Sequence, residues 1–417
     1  EIAHFPIFRL GQNRGGFLAK QTSRRLLPHG DMAKRTIGMV NQTGTKVGIE
    51  GAFDSVLHGI DGNVLMQRIS GTFRVTVPDE MNVDPVDGID VVTTLDVDIQ
   101  DVAEKALREQ LETMQADWGT AILMEVSTGE IRAITNLTRK GEGNIVEDYN
   151  YAIGMNMEPG STQKLASLIT LLDDAGASLD EKYDTGNGTA IIGRTKVTDT
   201  HGYGLLTLKG VFEKSSNVGF AKAVNKYYKD DPKRFVEHLY KMGLNEPLHL
   251  QIAGGQNPVI RKPGDRWWDG TTLTNMAYGY ALLLTNDGRM VSPLFVKELR
   301  QYGQTLRTYR ARTMVSSIAS DETLKEVRAA MRGVVEEGTG RILKSRYYKV
   351  GGKTGTAQKY EDGHIAHGKY VSSFVGFFPA NDPQYLALIV IDEPVGQYYG
   401  STVAAPYGRE IFEKIIQ

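Results

Sequence analysis

Pro159-Gly160-Ser161-Thr162-Gln163-Lys164 is the stretch on which the reading of the fold turns. A serine hydroxyl is a poor nucleophile until a neighbour takes its proton. In S-x-x-K on a helix, residues i and i+3 share a face, which sets Lys164 beside Ser161. Lysine is ordinarily protonated at neutral pH. Burial, or a second cation such as Lys353 nearby, favours the neutral amine that can act as a base. Pro159-Gly160 suits a turn into a helix N-terminus. Backbone N–H groups there point outward and can hold developing negative charge. Leu165, Leu168, Ile169 and Leu172 then recur at helical spacing.

Two further motifs follow in order along the chain: Ser215-Ser216-Asn217, and Lys353-Thr354-Gly355-Thr356 after Gly351-Gly352. Ser215 offers a hydroxyl that can relay a proton between Lys164 and a leaving amine. Asn217 offers an amide that both donates to and accepts from a peptide. The third motif reads as an edge strand whose free N–H and C=O groups can pair with an extended peptide. Lys353 and Thr354 would then face the carboxylate of that peptide. Each motif alone is weak, since S-x-x-K is expected about once by chance in a chain this long. Their order, with the Pro-Gly and Gly-Gly lead-ins, points to acyl transfer through a covalent serine ester.

On these motifs the chain resembles the class B penicillin-binding proteins, the monofunctional peptidoglycan D,D-transpeptidases, over nearly its whole length. Glu158-Pro159-Gly160-Ser161-Thr162, Lys214-Ser215-Ser216-Asn217-Val218-Gly219 and Gly352-Lys353-Thr354-Gly355-Thr356-Ala357-Gln358 read like that family's active-site segments. Arg35-Thr36-Ile37-Gly38 and Gly48-Ile49-Glu50-Gly51-Ala52-Phe53-Asp54 resemble its N-terminal non-catalytic domain, and Thr93-Thr94-Leu95-Asp96 the start of its transpeptidase domain. The wording is similar to the cell-division (septal) type of Bacteroidetes-like bacteria.

The resemblance implies an α+β fold: a mostly antiparallel central sheet flanked by helices, with a helical subdomain. It implies a pedestal or partner-binding domain over 1–92 and a transpeptidase domain over 93–417. Ser161, Lys164 and Ser215 would be catalytic. Backbone N–H groups of Ser161 and Thr356 would hold the oxyanion. Asn217, Lys353, Thr354, Gly355 and Thr356 would bind the stem peptide. No cofactor or metal is implied. The expected partners are peptidoglycan stem peptides, β-lactam antibiotics, a glycan polymerase and other division or elongation proteins. The expected location is the inner membrane, by a single anchor helix outside this chain, with the catalytic domain in the periplasm.

Composition agrees with this reading. A chain of 417 residues gives two or three domains and ample core. A net charge of −2 gives no sign of nucleic-acid binding. There is no cysteine, so no disulfide framework or thiol chemistry. No apolar run reaches the length of a membrane span, and no signal peptide is visible. Residues 1–92 read as short, irregular pieces. Val91 to Leu95 reads as a strand, and Asp98 as the cap of a helix from Ile99 to Met114. Thr120 to Val126 and Ile131 to Ile134 read as a hairpin, Phe374 to Phe378 and Tyr385 to Ile391 as strands, and Val403 to Ile416 as a last helix.

Competing readings are weighed on residues. Gly352-Lys353-Thr354 imitates the end of a phosphate-binding loop, but that motif needs glycine where Tyr347 stands. His364 and His367 read as loop residues rather than metal ligands, and His201 as a loop residue near the cleft. Trp267-Trp268 reads as a packed loop. A β-lactamase would need a water-activating group, and Glu213 overlaps the S-x-N motif rather than supplying a separate base. A β-lactam sensor, a D,D-carboxypeptidase and a partner-binding scaffold remain as alternatives. One departure stands against the family: after Met276-Ala277-Tyr278-Gly279-Tyr280, about ten residues of helix are skipped before Asn286-Asp287-Gly288, given ordinary helix lengths. This predicts a chain break between Ala281 and Asn286.

Overall fold

In a computed structural model, residues 4–10, 14–15, 25–41, 43–70, 73–78, 80–279, 285–286, 288–361 and 364–416 are described. The centre is a six-stranded sheet built from β1 (Trp118–Glu125), β2 (Ile131–Gly141), β3 (Asn144–Val146), β4 (Gly351–Glu361), β5 (His364–Phe378) and β6 (Tyr385–Asp392). Its order is β4-β5-β6-β1-β2-β3, and every pairing is antiparallel. The expected α+β architecture with a mostly antiparallel sheet is the one observed.

The sequence of β6 shows why the sheet lies inside. Leu386, Leu388 and Val390 enter one apolar cluster, while Ala387, Ile389 and Ile391 enter another on the opposite face. Successive side chains of a strand point to opposite faces, so an unbroken apolar run marks a strand covered on both sides. The first face carries α2 (Lys164–Asp173), α3 (Leu208–Glu213), α4 (Asn217–Tyr228) and α5 (Asp321–Glu336). The second carries α1 (Val97–Met114) and α6 (Ala404–Ile416), with Leu107, Leu111, Tyr407 and Phe412 buried against Phe374 and Ile389. Residues Lys164 to Leu172 of α2 are all buried, as expected for a helix apolar on nearly every side.

Most expected elements form, with shifts that have physical causes. The cap of α1 is Asp96, not Asp98: its side chain accepts from the N–H groups of Asp98 and Ile99. Asp96 also pairs with Arg132 at 2.9 Å, which ties the helix start to β2. His364 and His367 lie within β5 rather than a loop, because β4 and β5 pair out to Glu361 and His364. Trp268 packs against the main apolar cluster, whereas Trp267 is exposed beneath Arg266. The predicted break between Ala281 and Asn286 falls outside the described residues, apart from Thr285–Asn286, which pair with Arg289–Met290.

The N-terminal region consists of short elements, as expected, among them Lys34–Ile37, Gly48–Ala52, Met66–Ser70 and Phe73–Thr76. It touches the rest through an isolated bridge from Gly48 to Ala253 and through Phe53 edge-on to Tyr309. Strand Asp90–Thr93 pairs with Val296–Gln301. Asn150 donates to the buried Thr36 hydroxyl at 3.2 Å. Beside it, the Glu147 carboxyl is buried, with the backbone N–H groups of Lys34 and Arg35 turned toward it.

Burial, with repulsion from Glu104, pushes Glu147 up to about 8, against 4.5 for an exposed glutamate. The native state therefore holds this proton more tightly than the unfolded chain does. Its cost to stability is absent below pH ~4.5, grows as pH rises, and saturates near pH 8. Glu147→Gln should remove that slope and stabilise the protein by up to about 3 kcal/mol at pH 7. Urea denaturation of both proteins at pH 5 and pH 8 checks this: the difference should widen toward pH 8.

Candidate active site

Three elements converge where the motifs meet. Gly160 takes a left-handed backbone (φ 58°), which turns the chain into a 3-10 turn over Gly160–Gln163, and α2 begins at Lys164. Ser161 thus stands on the tight turn that leads into the helix, with Lys164 at its first α-helical position. The approach of this turn to β4 is close. A Cβ at Gly160 would lie 3.1 Å from the Thr356 backbone, and one at Gly355 would lie 2.3 Å from Ser373 Oγ and 3.1 Å from Pro159 O. Glycine at these positions lets the nucleophile turn lie flat against the strand.

The second element is the turn between α3 and α4. Thr207 caps α3 and Ser216 caps α4, each through its hydroxyl. Between the two helices Ser215 is forced into the left-handed region (φ 58°), which is costly for a residue with a Cβ. That conformation directs its Oγ between two lysines: Lys353 Nζ donates to it at 2.8 Å and Lys164 Nζ lies 3.1 Å away.

Lys164 is the hub. Its Nζ is 2.9 Å from Ser161 Oγ, 3.1 Å from Ser215 Oγ, and 2.6 Å from both Ser215 O and Asn217 Oδ1. The last two atoms can only accept, so they claim two hydrogens. The remaining tetrahedral position faces the hydroxyls. In the neutral amine that position is a lone pair, aimed at a group able to donate. Complete burial lowers Lys164 to about 7, opposed by the charge of Asp199. Lys353 is also fully buried and is lowered well below the ordinary lysine value, first by burial and then by Lys164.

The structure thus brings together Ser161, Lys164, Ser215, Asn217 and Lys353. The Asn217 amide is fixed at both ends, accepting from Lys164 and donating to Thr198 O at 2.8 Å. β4 lies at the sheet edge, as expected of a strand open to an extended peptide. Lys353 and Thr354 follow one another along β4. Lys353 is buried beneath the cleft, and the Thr354 hydroxyl is paired with that of Thr339 at 2.7 Å. Thr356 is half-buried and accepts from Gly400 N at 3.0 Å. His201 packs edge-on to Tyr203 rather than on Lys164.

Two features escaped the motifs. One is Asp199, bonded to Ser216 and Asn217. The other is an aromatic stack on β5, with Tyr370 on Tyr398 at 4.0 Å and Tyr398 against Tyr399 at 4.6 Å. Its loop is tied down by Ser372, which donates to Tyr398 O at 2.6 Å. A Tyr-Tyr pair before glycine was visible in the sequence, but nothing local placed it beside residues thirty positions earlier.

Comparison with known proteins fits this geometry. The description of the penicillin binding protein transpeptidase domain matches residues 119–417. The chain belongs to that family. Over 416 residues it is 30% identical to the probable peptidoglycan D,D-transpeptidase PenA of Neisseria meningitidis, covering 95% of this chain and 68% of that protein. It is 28% identical to stage V sporulation protein D of Bacillus subtilis, covering 94% of this chain and 63% of that protein. Penicillin binding protein 3 of Mycobacterium tuberculosis, solved free and with aztreonam or ampicillin, has the same fold. Its free form superposes with a TM-score of 0.78 at 27% identity, over 94% of this chain and 90% of that one.

With Lys164 at about 7, its base form predominates above neutrality. The acylation rate should therefore climb with pH through about 7 and then level off. Lys164→Arg keeps the charge but cannot release its proton, and should slow acylation by roughly 10²- to 10⁴-fold. Stopped-flow acylation by a fluorescent penicillin between pH 5 and 9 checks both.

Proposed function

We propose that this chain is a serine-type D-Ala-D-Ala transpeptidase of cell-wall synthesis, acting through an acyl-enzyme on Ser161. The observation that carries the assignment is Ser161 Oγ at 2.9 Å from a fully buried lysine, with Ser215 bridging to a second one. Ser161 Oγ bonds to the penultimate D-alanyl carbonyl carbon of a stem peptide as its proton passes to Lys164. The C–N bond breaks, and Ser215 relays the proton from Lys164 to the departing D-alanine amine. The amine of a second stem then attacks the ester, forming the cross-link and restoring Ser161. Backbone N–H groups of Ser161 and Thr356 are assigned to the oxyanion, and Asn217 and Lys353 with the Thr354–Thr356 segment to the donor peptide. β-Lactams present the same acyl group and would stop at the ester.

Residues 1–92 are assigned as a partner-binding pedestal and 93–417 as the catalytic domain, with strand Asp90–Thr93 crossing the boundary. A polymerase and other division or elongation proteins are the proposed partners of the pedestal. The relatives include probable peptidoglycan D,D-transpeptidases, which supports placing the catalytic domain in the periplasm, beside the wall. A single-pass anchor in the inner membrane is proposed on the resemblance to the family; among the described residues no helix is long and apolar enough to cross a membrane. The septal role of a Bacteroidetes-like enzyme rests on wording alone.

Incubation with benzylpenicillin should add one drug mass per chain, located by peptide mapping at Ser161, and Ser161→Ala should gain none while melting normally. A label at Ser215 or elsewhere would overturn the assignment. Turnover of a D-alanyl thioester donor with a D-amino acid acceptor should give the transfer product. Acylation without transfer would make the chain a sensor, and hydrolysis alone a carboxypeptidase.

A further inference from the structure

Asp199 stands just beyond strand Thr195–Thr198, outside all three motifs. Three hydrogen bonds tie it to the turn that carries Ser215 and Asn217. Its Oδ2 accepts from the Ser216 hydroxyl at 2.5 Å. Its Oδ1 accepts from the backbone N–H of Asn217 at 2.5 Å and of Val218 at 3.1 Å. Those N–H groups belong to the first turn of α4, where donors are left over and negative charge is favoured. The neighbouring Thr198 carbonyl takes the Asn217 side-chain amide. Thr198 and Asp199 together thus grip both the backbone and the side chain of the turn whose strained residue is Ser215.

Charge gives a second line of argument. The groups that face Lys164 are Ser161 from the 3-10 turn, Ser215 and Asn217 from the turn between helices, Lys353 from β4, and Asp199. Among the described residues, Asp199 is the acid whose charge acts on Lys164, and Lys353 the cation coupled to it. Two buried amines side by side favour loss of their protons. A base too reluctant to hold a proton is a poor one, since proton transfer works best between groups of matched affinity.

We propose that Asp199 is a positioning residue for acyl transfer, one that locks Ser215 into its left-handed turn and supplies the counter-charge that strengthens Lys164 as a base. The proposal rests on the assignment of Ser161 and Lys164 above. The carboxylate reaches the reacting atoms only through Ser216, Asn217 and Lys164. It acts by geometry on one side and by its field on the other.

The two effects separate in the pH profile of acylation by a fluorescent penicillin. Asp199→Asn keeps the shape and an acceptor for the two N–H groups but removes the charge. Its rising limb should move to lower pH by about one unit, as expected for loss of a nearby opposite charge, and its plateau should fall about tenfold, within the range of general-base effects. Ser216→Ala keeps the charge but breaks the bonds of that hydroxyl to Asp199 and to the Gly219 N–H, so its plateau should fall with the limb in place. An Asp199→Asn limb that stays where the parent's lies, or a plateau that does not fall, would overturn the proposal. Should the Asn variant prove too unstable for kinetics, Asp199→Glu carries the test. Charge retained on displaced oxygens should lower the plateau without moving the limb, and an unchanged plateau would refute positioning. Peptide mapping accompanies each variant: label on a residue other than Ser161 would refute the underlying assignment, whereas label on Ser161 with an unmoved limb refutes only this inference.

Discussion

The ammonium group of Lys164 has been taken out of water, and the rest of the site is arranged around that fact. A buried lysine without partners is costly enough that it gives up its proton instead. Here four oxygens surround the nitrogen, so the neutral amine is stabilised without being left unsatisfied. The same burial that would be a liability in a structural core is what turns a lysine into a base. Burial also couples it to Lys353, since neither amine can hold a proton without disfavouring one on the other.

Keeping water away from that nitrogen is the task of the whole sheet-and-helix stack. α2 is buried along its length because α4, α5 and the helices Pro232–Lys241 and Thr272–Gly279 pack against it, with the sheet completing its cover. Lys164 sits at the start of that helix, where a polar group would ordinarily meet solvent. The S-x-N turn and β4 close over it instead. This explains why the three motifs lie so far apart in the chain: one supplies the helix start, one a lid between two helices, one the strand wall. Each comes from a rigid element, so the spacing of atoms is set by packing rather than by flexible loops.

Much of this was legible in the sequence. The apolar run in β6 and the helical spacing in α1 and α2 identify their elements directly, because burial on known faces leaves a periodic trace. Ser161, Lys164, Ser215, Asn217 and Lys353 were legible as motifs. Spacing alone set Lys164 beside Ser161, but the resemblance supplied the idea that Asn217 and the Lys353 strand meet them in one site. Asp96 and Asp98 were indistinguishable as caps, being two acids two residues apart; the pairing of Asp96 with Arg132 decides between them only in three dimensions. Asp199 left no trace, because an acid after a strand of threonines and a lysine reads as a solvated turn. The buried Glu147 was equally silent, since its burial depends on Lys34 and Arg35, more than a hundred residues away.

The interleaving of backbone around the strand wall has a consequence for which positions can vary. A Cβ at Gly400 would come within 2.2 Å of Gly355 O, just as one at Gly355 would collide with Ser373. Two chain segments and the nucleophile turn therefore meet with no room for any side chain, and no substitution there can narrow the cleft gradually. At Gly355 and Gly400 the wall cannot be reshaped by a single substitution without forcing the segments apart. Room for variation lies at its accessible margins, such as Gln358 and Tyr399, where side chains reach solvent. The wall is fixed at its glycines and open to change at its rim.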